Sequence, residues 1–187
     1  MIAVVSSGHK PDDERIYYKE IQSLLRAGYE IQYFTRSNSK ICLSEKNLKH
    51  FNVSPIKYYI NKYIKYVAEN IDNAAVVLHI HEFDLLPLAK KFKKKGESKV
   101  IYDVHDTLRA MWETFSSKKG LLKKVINKSL SFYEASHLVY VDEVILANKI
   151  FVQNFYADKG LSTTVVENYP QYENVGEIKK QSDTPLI

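Results

Sequence analysis

The sequence predicts an α/β fold built on a mainly parallel sheet with helices on both faces. Three observations carry this. Short apolar runs of strand character alternate with segments of helical period along most of the 187 residues, the pattern of linked βαβ units with right-handed crossovers. The composition, 45% hydrophobic and 26% charged, is that of a packed domain, which excludes general disorder. The length suits one core, since a chain of this size hides roughly 70% of the surface it exposes when unfolded.

Met1 to Val5 is the first apolar run and ends at Ser6-Ser7-Gly8. Pro11-Asp12-Asp13 then places carboxylates where the positive end of a helix dipole favours them. Tyr17, Ile21, Leu24 and Leu25 share one helical face, and Gly28 is positioned to close that helix in a left-handed cap. Tyr29 to Thr35 alternates as a second strand. Ser37 to Asn47 has no period and reads as a loop before a weak strand around Phe51 to Ile56. Ile56, Ile60, Tyr63, Val67 and Ile71 repeat at helical spacing ahead of a strand from Ala74 to Ile80.

Leu85, Leu88, Ala89 and Phe92 give the next helix its apolar side, Gly96 caps it, and Lys99 to Val104 returns as a strand. A long helix follows from about Leu121, with Leu122, Val125, Ile126, Leu130 and Tyr133 marking its buried face. Val144 to Ala147 reads as a strand, Asn148 as a helix cap, Gly160 as that helix's end, and Thr163 to Val166 as the last strand. From Gln171 the chain turns polar before Thr184-Pro185-Leu186-Ile187. The expected organisation is therefore a domain over 1–170 and a linker over 171–187 leading towards a further domain.

The single cysteine, Cys42, excludes an intramolecular disulfide, and without a secretory leader pattern the chain reads as cytoplasmic. No apolar run approaches the roughly 20 residues of a membrane span, so membrane contact is expected only at the periphery, on the inner face. The formal charge of +5 gathers at Lys90 to Lys95 and Lys118 to Lys128. Lys118, Lys119, Lys123, Lys124 and Lys128 frame Leu121-Leu122 and Val125-Ile126, which suits either a helix lying on anionic lipid or an ordinary solvated lysine face. Neither spacing nor aromatic placement fits a nucleic-acid module, and no such partner is expected.

The chemistry gathers at two strand ends, His79-Ile80-His81-Glu82-Phe83-Asp84 and Tyr102-Asp103-Val104-His105-Asp106. In α/β sheets ligands collect at the carboxyl ends of such strands. His79 and His81 point to one face of a strand, as metal ligands would. They would need further ligands from His105 or nearby carboxylates, so a sheet-end structural role is the reading preferred, and no metal or cofactor is expected. His105 can donate to a substrate oxygen or exchange a proton near neutral pH, and Asp103 points the same way in an extended chain. The first strand leads into Ser6-Ser7-Gly8-His9, with neither a dinucleotide-binding glycine fingerprint nor a P-loop.

The run His9-Lys10-Pro11-Asp12-Asp13-Glu14-Arg15-Ile16-Tyr17-Tyr18-Lys19-Glu20, continuing into Leu24-Leu25-Arg26-Ala27-Gly28-Tyr29-Glu30-Ile31, resembles the amino-terminal domain of family 4 glycosyltransferases. His81 to Leu88 with Val100 to Asp106 is similar to that family's paired strand ends, and Val165-Val166-Glu167-Asn168-Tyr169-Pro170 to its closing strand and turn. The resemblance implies one Rossmann-like half of a two-domain GT-B enzyme that retains anomeric configuration and needs no metal. It places the loop Ser7-Gly8-His9 near the donor phosphate or the acceptor, with Gly8 and His9 as the expected donor contacts, and His105 on the transferred sugar as the catalytic residue. Arg15, His81, Glu82 and Asp103 would lie by the acceptor. A nucleotide-sugar donor, held mainly by the other half, and a glycan or lipid-linked acceptor are the implied partners, and this chain alone is expected to be inert. The alternative is a stand-alone Rossmann-like binding or regulatory domain without transferase activity.

Overall fold

The structure, a computed structural model, describes residues 1–93, 98–105, 120–147 and 153–167. In chain order the elements are β1 (Ile2–Ser6), α1, β2 (Ile31–Arg36), β3 (Leu48–Val53), α2 (Ile60–Asn70), β4 (Val77–Ile80), a 3-10 turn (Phe83–Leu85), α3 (Pro87–Lys93), β5 (Lys99–Val104), α4 (Gly120–Leu138), β6 (Glu143–Leu146), α5 (Gln153–Ala157) and β7 (Ser162–Val165). Helix α1 has two parts, a π-helical segment Glu14–Ile21 that continues as the α-helical Gln22–Arg26.

All seven strands pair in parallel, in the order β3-β2-β1-β4-β5-β6-β7. The chain winds outward from β1 through β2 to β3, then crosses back to lay β4 on the other side of β1. Connections therefore part company at the carboxyl ends of β1 and β4, which opens a crevice there.

Strand β1 is buried on both faces, which is why its apolar residues run without alternation. Ile2 and Val4 pack with Ile31, Tyr33 and the Ile16, Tyr17 and Ile21 side of α1. Ala3 and Val5 face the larger cluster, where Tyr63 and Val67 of α2, Leu88 and Phe92 of α3, Leu138 of α4 and Tyr156 of α5 meet Leu78, Ile80, Val100, Tyr102, Val144 and Leu146. The expected α/β architecture, with a parallel sheet and helices on both faces, is what the structure has.

Several element boundaries differ from the sequence reading. The third strand starts at Leu48, because its pairing with β2 runs from Ile31↔Leu48 to Arg36↔Val53 and leaves Ile56 beyond the sheet. Ile56 also stands outside α2 and is 85% exposed. Val125, expected on the buried side of α4, is 53% exposed, and the inward side of that helix is marked instead by Glu134 and Leu138. Gly28 and Gly160 do adopt left-handed backbone, at φ 87° and 73°. Gly96, Asp106, Lys118, Lys119, Asn148 and the 171–187 linker lie outside the described residues.

Candidate active site

Because β1 and β4 are neighbours, the loops that leave them meet. Glu82, two residues past β4, is largely buried and accepts three hydrogen bonds from the loop after β1: Ser6 Oγ at 2.7 Å, Ser7 N–H at 2.9 Å and Gly8 N–H at 3.0 Å. Burial pushes the Glu82 carboxyl up, and those three donors pull back towards the ionised form. Ser7 Oγ donates to Asp84 Oδ1 at 2.8 Å, and Arg36 from the end of β2 donates through Nη1 to Ser7 O at 3.2 Å. The first loop is thus held from two neighbouring strands.

His9 follows this loop. Its Nδ1 sits 2.8 Å from Oδ2 of Asp13, whose Oδ1 accepts from Arg15 N–H and Ile16 N–H at 3.0 Å each and so caps α1. The Asp13 hydrogen bond raises the His9 pKa despite partial burial. Burial by itself would raise Asp13, but the His9 bond and the two capping N–H groups outweigh it and hold the carboxyl at about 2. The other ring nitrogen of His9 lies 3.8 Å from Glu82 Oε1, and the ring is 5.0 Å from that of His105.

Sheet register explains the remainder. The β4–β5 pairing puts Ile80 opposite Tyr102, so the residues that alternate with them, His79 and His81 on one strand and Asp103 on the other, project from the same face. His105 continues that side past β5, with Nε2 3.2 Å from His81 Nδ1 and 3.8 Å from Asp103 Oδ1. Helix α1 covers this face. Arg15, only 5% exposed, reaches Asp103 with Nη2 at 3.1 and 3.0 Å from its two oxygens, and its Nη1 donates to Val166 O at 2.9 Å beyond β7. Its Nε is 3.1 Å from Oε1 of Glu20. Burial pushes Glu20 well up from the usual carboxylate range, with the Asp103 charge adding to the shift. Burial lowers His79 to about 4, takes His81 well down, and lowers His105 against the pull of Asp103. Burial thus disfavours the charged form of these three rings, whereas the Asp13 hydrogen bond favours it at His9.

Above this layer lies a cleft of about 450 Å³ lined by Gly8, His9, Arg36, His81, Glu82, Asp84 and His105, among others. Of the residues singled out in the sequence, Gly8, His9, His81, Glu82 and His105 line it. Arg15 and Asp103 form the buried layer beneath, one step from open space. Sequence reasoning missed three members. Glu20 enters the sequence reading only as the end of the run that carries the resemblance, Asp13 there and as a helix starter, and Arg36 not at all. The arrangement offers imidazoles for hydroxyl groups, Arg36 and a histidine whose charged form is favoured for an anion, and a rigid carboxylate between them, a set suited to binding a polar ligand with several hydroxyls.

By sequence, no family model and no curated protein matches the chain. By structure it is similar to the sucrose-phosphate synthase of Thermosynechococcus elongatus, with a TM-score of 0.62 at 13% identity over 89% of this chain and 47% of that one. A shorter chain of the same synthase, residues 27–220 with 406–426, aligns at TM-score 0.57 and 12% identity over 92% of this chain and 91% of its own. The E. coli trehalose-6-phosphate synthase bound with UDP-2-fluoro glucose gives 0.53 and 12%, over 88% and 48%. The chain spans about half the length of the two full synthases, and what it shares with these GT-B glycosyltransferases is the fold of one half.

Proposed function

We propose that this chain is the acceptor-side half of a retaining glycosyltransferase of the family 4 type, which moves a sugar from a nucleotide-sugar to a hydroxyl of a surface glycan or glycolipid precursor. The observation that carries this is the cleft at the β1–β4 switch point, where Gly8, His9, His81, Glu82 and His105 converge on a GT-B half-fold. His105, held by His81, contacts the transferred sugar. His9 and the Gly8 loop face the donor phosphate. Arg15 and Asp103 act from beneath by fixing His81, His105 and α1, and Glu82 sets the loop that meets the acceptor. In the retaining reaction the acceptor oxygen bonds to the anomeric carbon on the face from which the diphosphate leaves, and the acceptor proton passes to that leaving group. The protein's part is orientation and charge stabilisation, and the other half of the enzyme supplies most of the donor contacts.

The lipid-linked form of the acceptor is supported by α4, where Lys124 and Lys128 are exposed on the same helix as the exposed side chains of Val125 and Phe132. No helix among the described residues is long and apolar enough to cross a membrane, and the contact proposed is a peripheral one at the cytoplasmic face.

The test is nucleoside diphosphate release from a panel of nucleotide-sugars, with glycan and lipid-linked acceptors, by a protein that joins this chain to a donor-binding half. Turnover is expected there and not with the 187-residue chain alone, and His105→Ala should lower turnover far more than melting temperature. Transfer by the isolated chain would overturn the half-enzyme reading. No release with any donor would leave a binding domain without transferase activity.

A further inference from the structure

We infer that Glu20, His79, His81 and Asp103 form a buried site for a divalent transition-metal ion, best matched by zinc, that fastens α1 to the carboxyl ends of β4 and β5. One ligand atom from each residue lies within 4.8 Å of all the others. Zinc binds imidazole nitrogens and carboxylate oxygens alike and favours four-coordinate tetrahedral geometry, which two of each can supply. Magnesium and calcium favour oxygen ligands throughout, and copper(I) favours sulfur.

The unpartnered atoms point the same way. Nε2 of His79 and Nε2 of His81 are buried without a hydrogen bond, while Glu20 turns Oε1 to Arg15 Nε at 3.1 Å and Oε2 to His81 Nε2. Buried polar atoms in folded proteins nearly always have partners. Here two imidazole nitrogens without one belong to residues whose ligand atoms lie, with those of Glu20 and Asp103, within 4.8 Å of one another. His81 Nε2 stands 3.6 Å from Glu20 Oε2, and His79 Nε2 stands 3.8 Å from Asp103 Oδ2. A tetrahedral zinc site has ligand atoms about 3.4 Å apart given bonds of about 2.0–2.1 Å, so modest side-chain rotations close the set.

The surroundings hold the ligands as an outer shell does. His81 Nδ1 is engaged by His105, which leaves Nε2 aimed inward. Arg15 is the one group that opposes a second cation. Its Nη2 lies against Asp103 and its Nε beside Glu20, but each carboxylate has lone pairs for both a guanidinium and a metal, and two carboxylates offset the added charge. Of the four ligands only His81 lines the cleft. The ion is therefore structural, out of reach of a substrate, and sugar transfer without metal chemistry is undisturbed by it. The inference does not depend on the proposed function.

The experiment uses tag-free protein, stripped with chelator and then dialysed against zinc or cobalt(II). About one equivalent of zinc by elemental analysis, a raised melting temperature with zinc and a cobalt absorption of tetrahedral intensity are expected. Glu20→Gln, close in shape to the native side chain, should fold without metal yet lose the melting shift and the cobalt spectrum. His79→Asn should lose them as well. Binding well below one equivalent with no melting shift would overturn the site, as would binding that both variants retain.

Discussion

The backbone N–H of Gly8 donates to Oε1 of Glu82 at 3.0 Å, across 74 positions of sequence. With Ser6 Oγ and Ser7 N–H on the same carboxylate, this contact fixes the loop after β1 to the loop after β4. Removing the acceptor strands the N–H of buried Ser7 and the hydroxyl of buried Ser6, while the N–H of exposed Gly8 can turn to water; a loss costs about 1–3 kcal/mol where the group cannot reach water. Glu82→Ala is expected to lower unfolding free energy by about 2 kcal/mol or more in denaturant titration, and Glu82→Gln, which keeps one acceptor oxygen, by less. Equal losses for the two variants would show that the single acceptor oxygen of glutamine does not hold the loop and that both carboxylate oxygens are needed.

Arg15 is a second tie, and a more deeply buried one. Its guanidinium meets Asp103, Glu20 and Val166 O with three different nitrogens, so it links α1 to β5 and to the end of β7. Deleting one partner of a buried ion pair costs about 3–5 kcal/mol, because the other charge stays behind. Arg15→Ala is expected to fall in that range. Arg15→Lys should recover little, since an ammonium is a compact point charge that cannot present donors in a planar fork to three acceptors. A lysine variant as stable as wild type in denaturant titration would show that charge alone suffices.

Most of this site was legible in the sequence because strands obey a period of two. His79, His81, Asp103 and His105 follow apolar runs whose ends a parallel sheet brings together, and alternation settles which face they share. Helix α1 was harder. Counting at 3.6 residues per turn separates Arg15 from Glu20 around the helix, whereas in a π-helical segment residues five apart stand over one another. The structure has that segment over Glu14–Ile21, so both side chains reach Asp103's neighbourhood. Nothing in the local sequence marks a π turn. Val125 failed for a related reason: α4 has apolar residues on more than one side, and periodicity cannot say which side the sheet will claim.

The His9–Asp13 pair makes stability depend on pH, with opposite signs at its two ends. His9 is raised above its ordinary 6.5, chiefly by the Asp13 hydrogen bond. Its contribution is fully present below 6.5 and is lost as pH rises through the higher folded value. Asp13 is lowered from 3.8 to about 2, so its contribution is present above 3.8 and is lost as pH falls towards 2. The melting-temperature gap between wild type and His9→Gln should therefore be widest between these limits, shrinking both towards mild alkali and towards strong acid. A gap that stays constant across that range would mean the pair contributes by shape and not by charge.

Phe132, 76% exposed, and Val125, 53% exposed, stand on α4, and a step of seven residues keeps the two on one stripe of the helix, with Val139, 74% exposed, just past its end. Lys124 and Lys128 are exposed near its amino-terminal half. An apolar stripe flanked by lysines lies well in the headgroup region of an anionic bilayer, where each lysine near the surface adds about 1 kcal/mol of attraction. Salt screens that share of the binding and leaves the apolar share. Co-sedimentation with vesicles is expected to be stronger with anionic than with neutral lipid and to weaken as salt rises. Replacing Lys124 and Lys128 by glutamine should reduce the preference for anionic lipid, and Phe132→Ser should weaken binding at every salt concentration. Equal sedimentation with both vesicle types, or none with either, would return these lysines to an ordinary solvated face and remove the support that α4 gives to a lipid-linked acceptor.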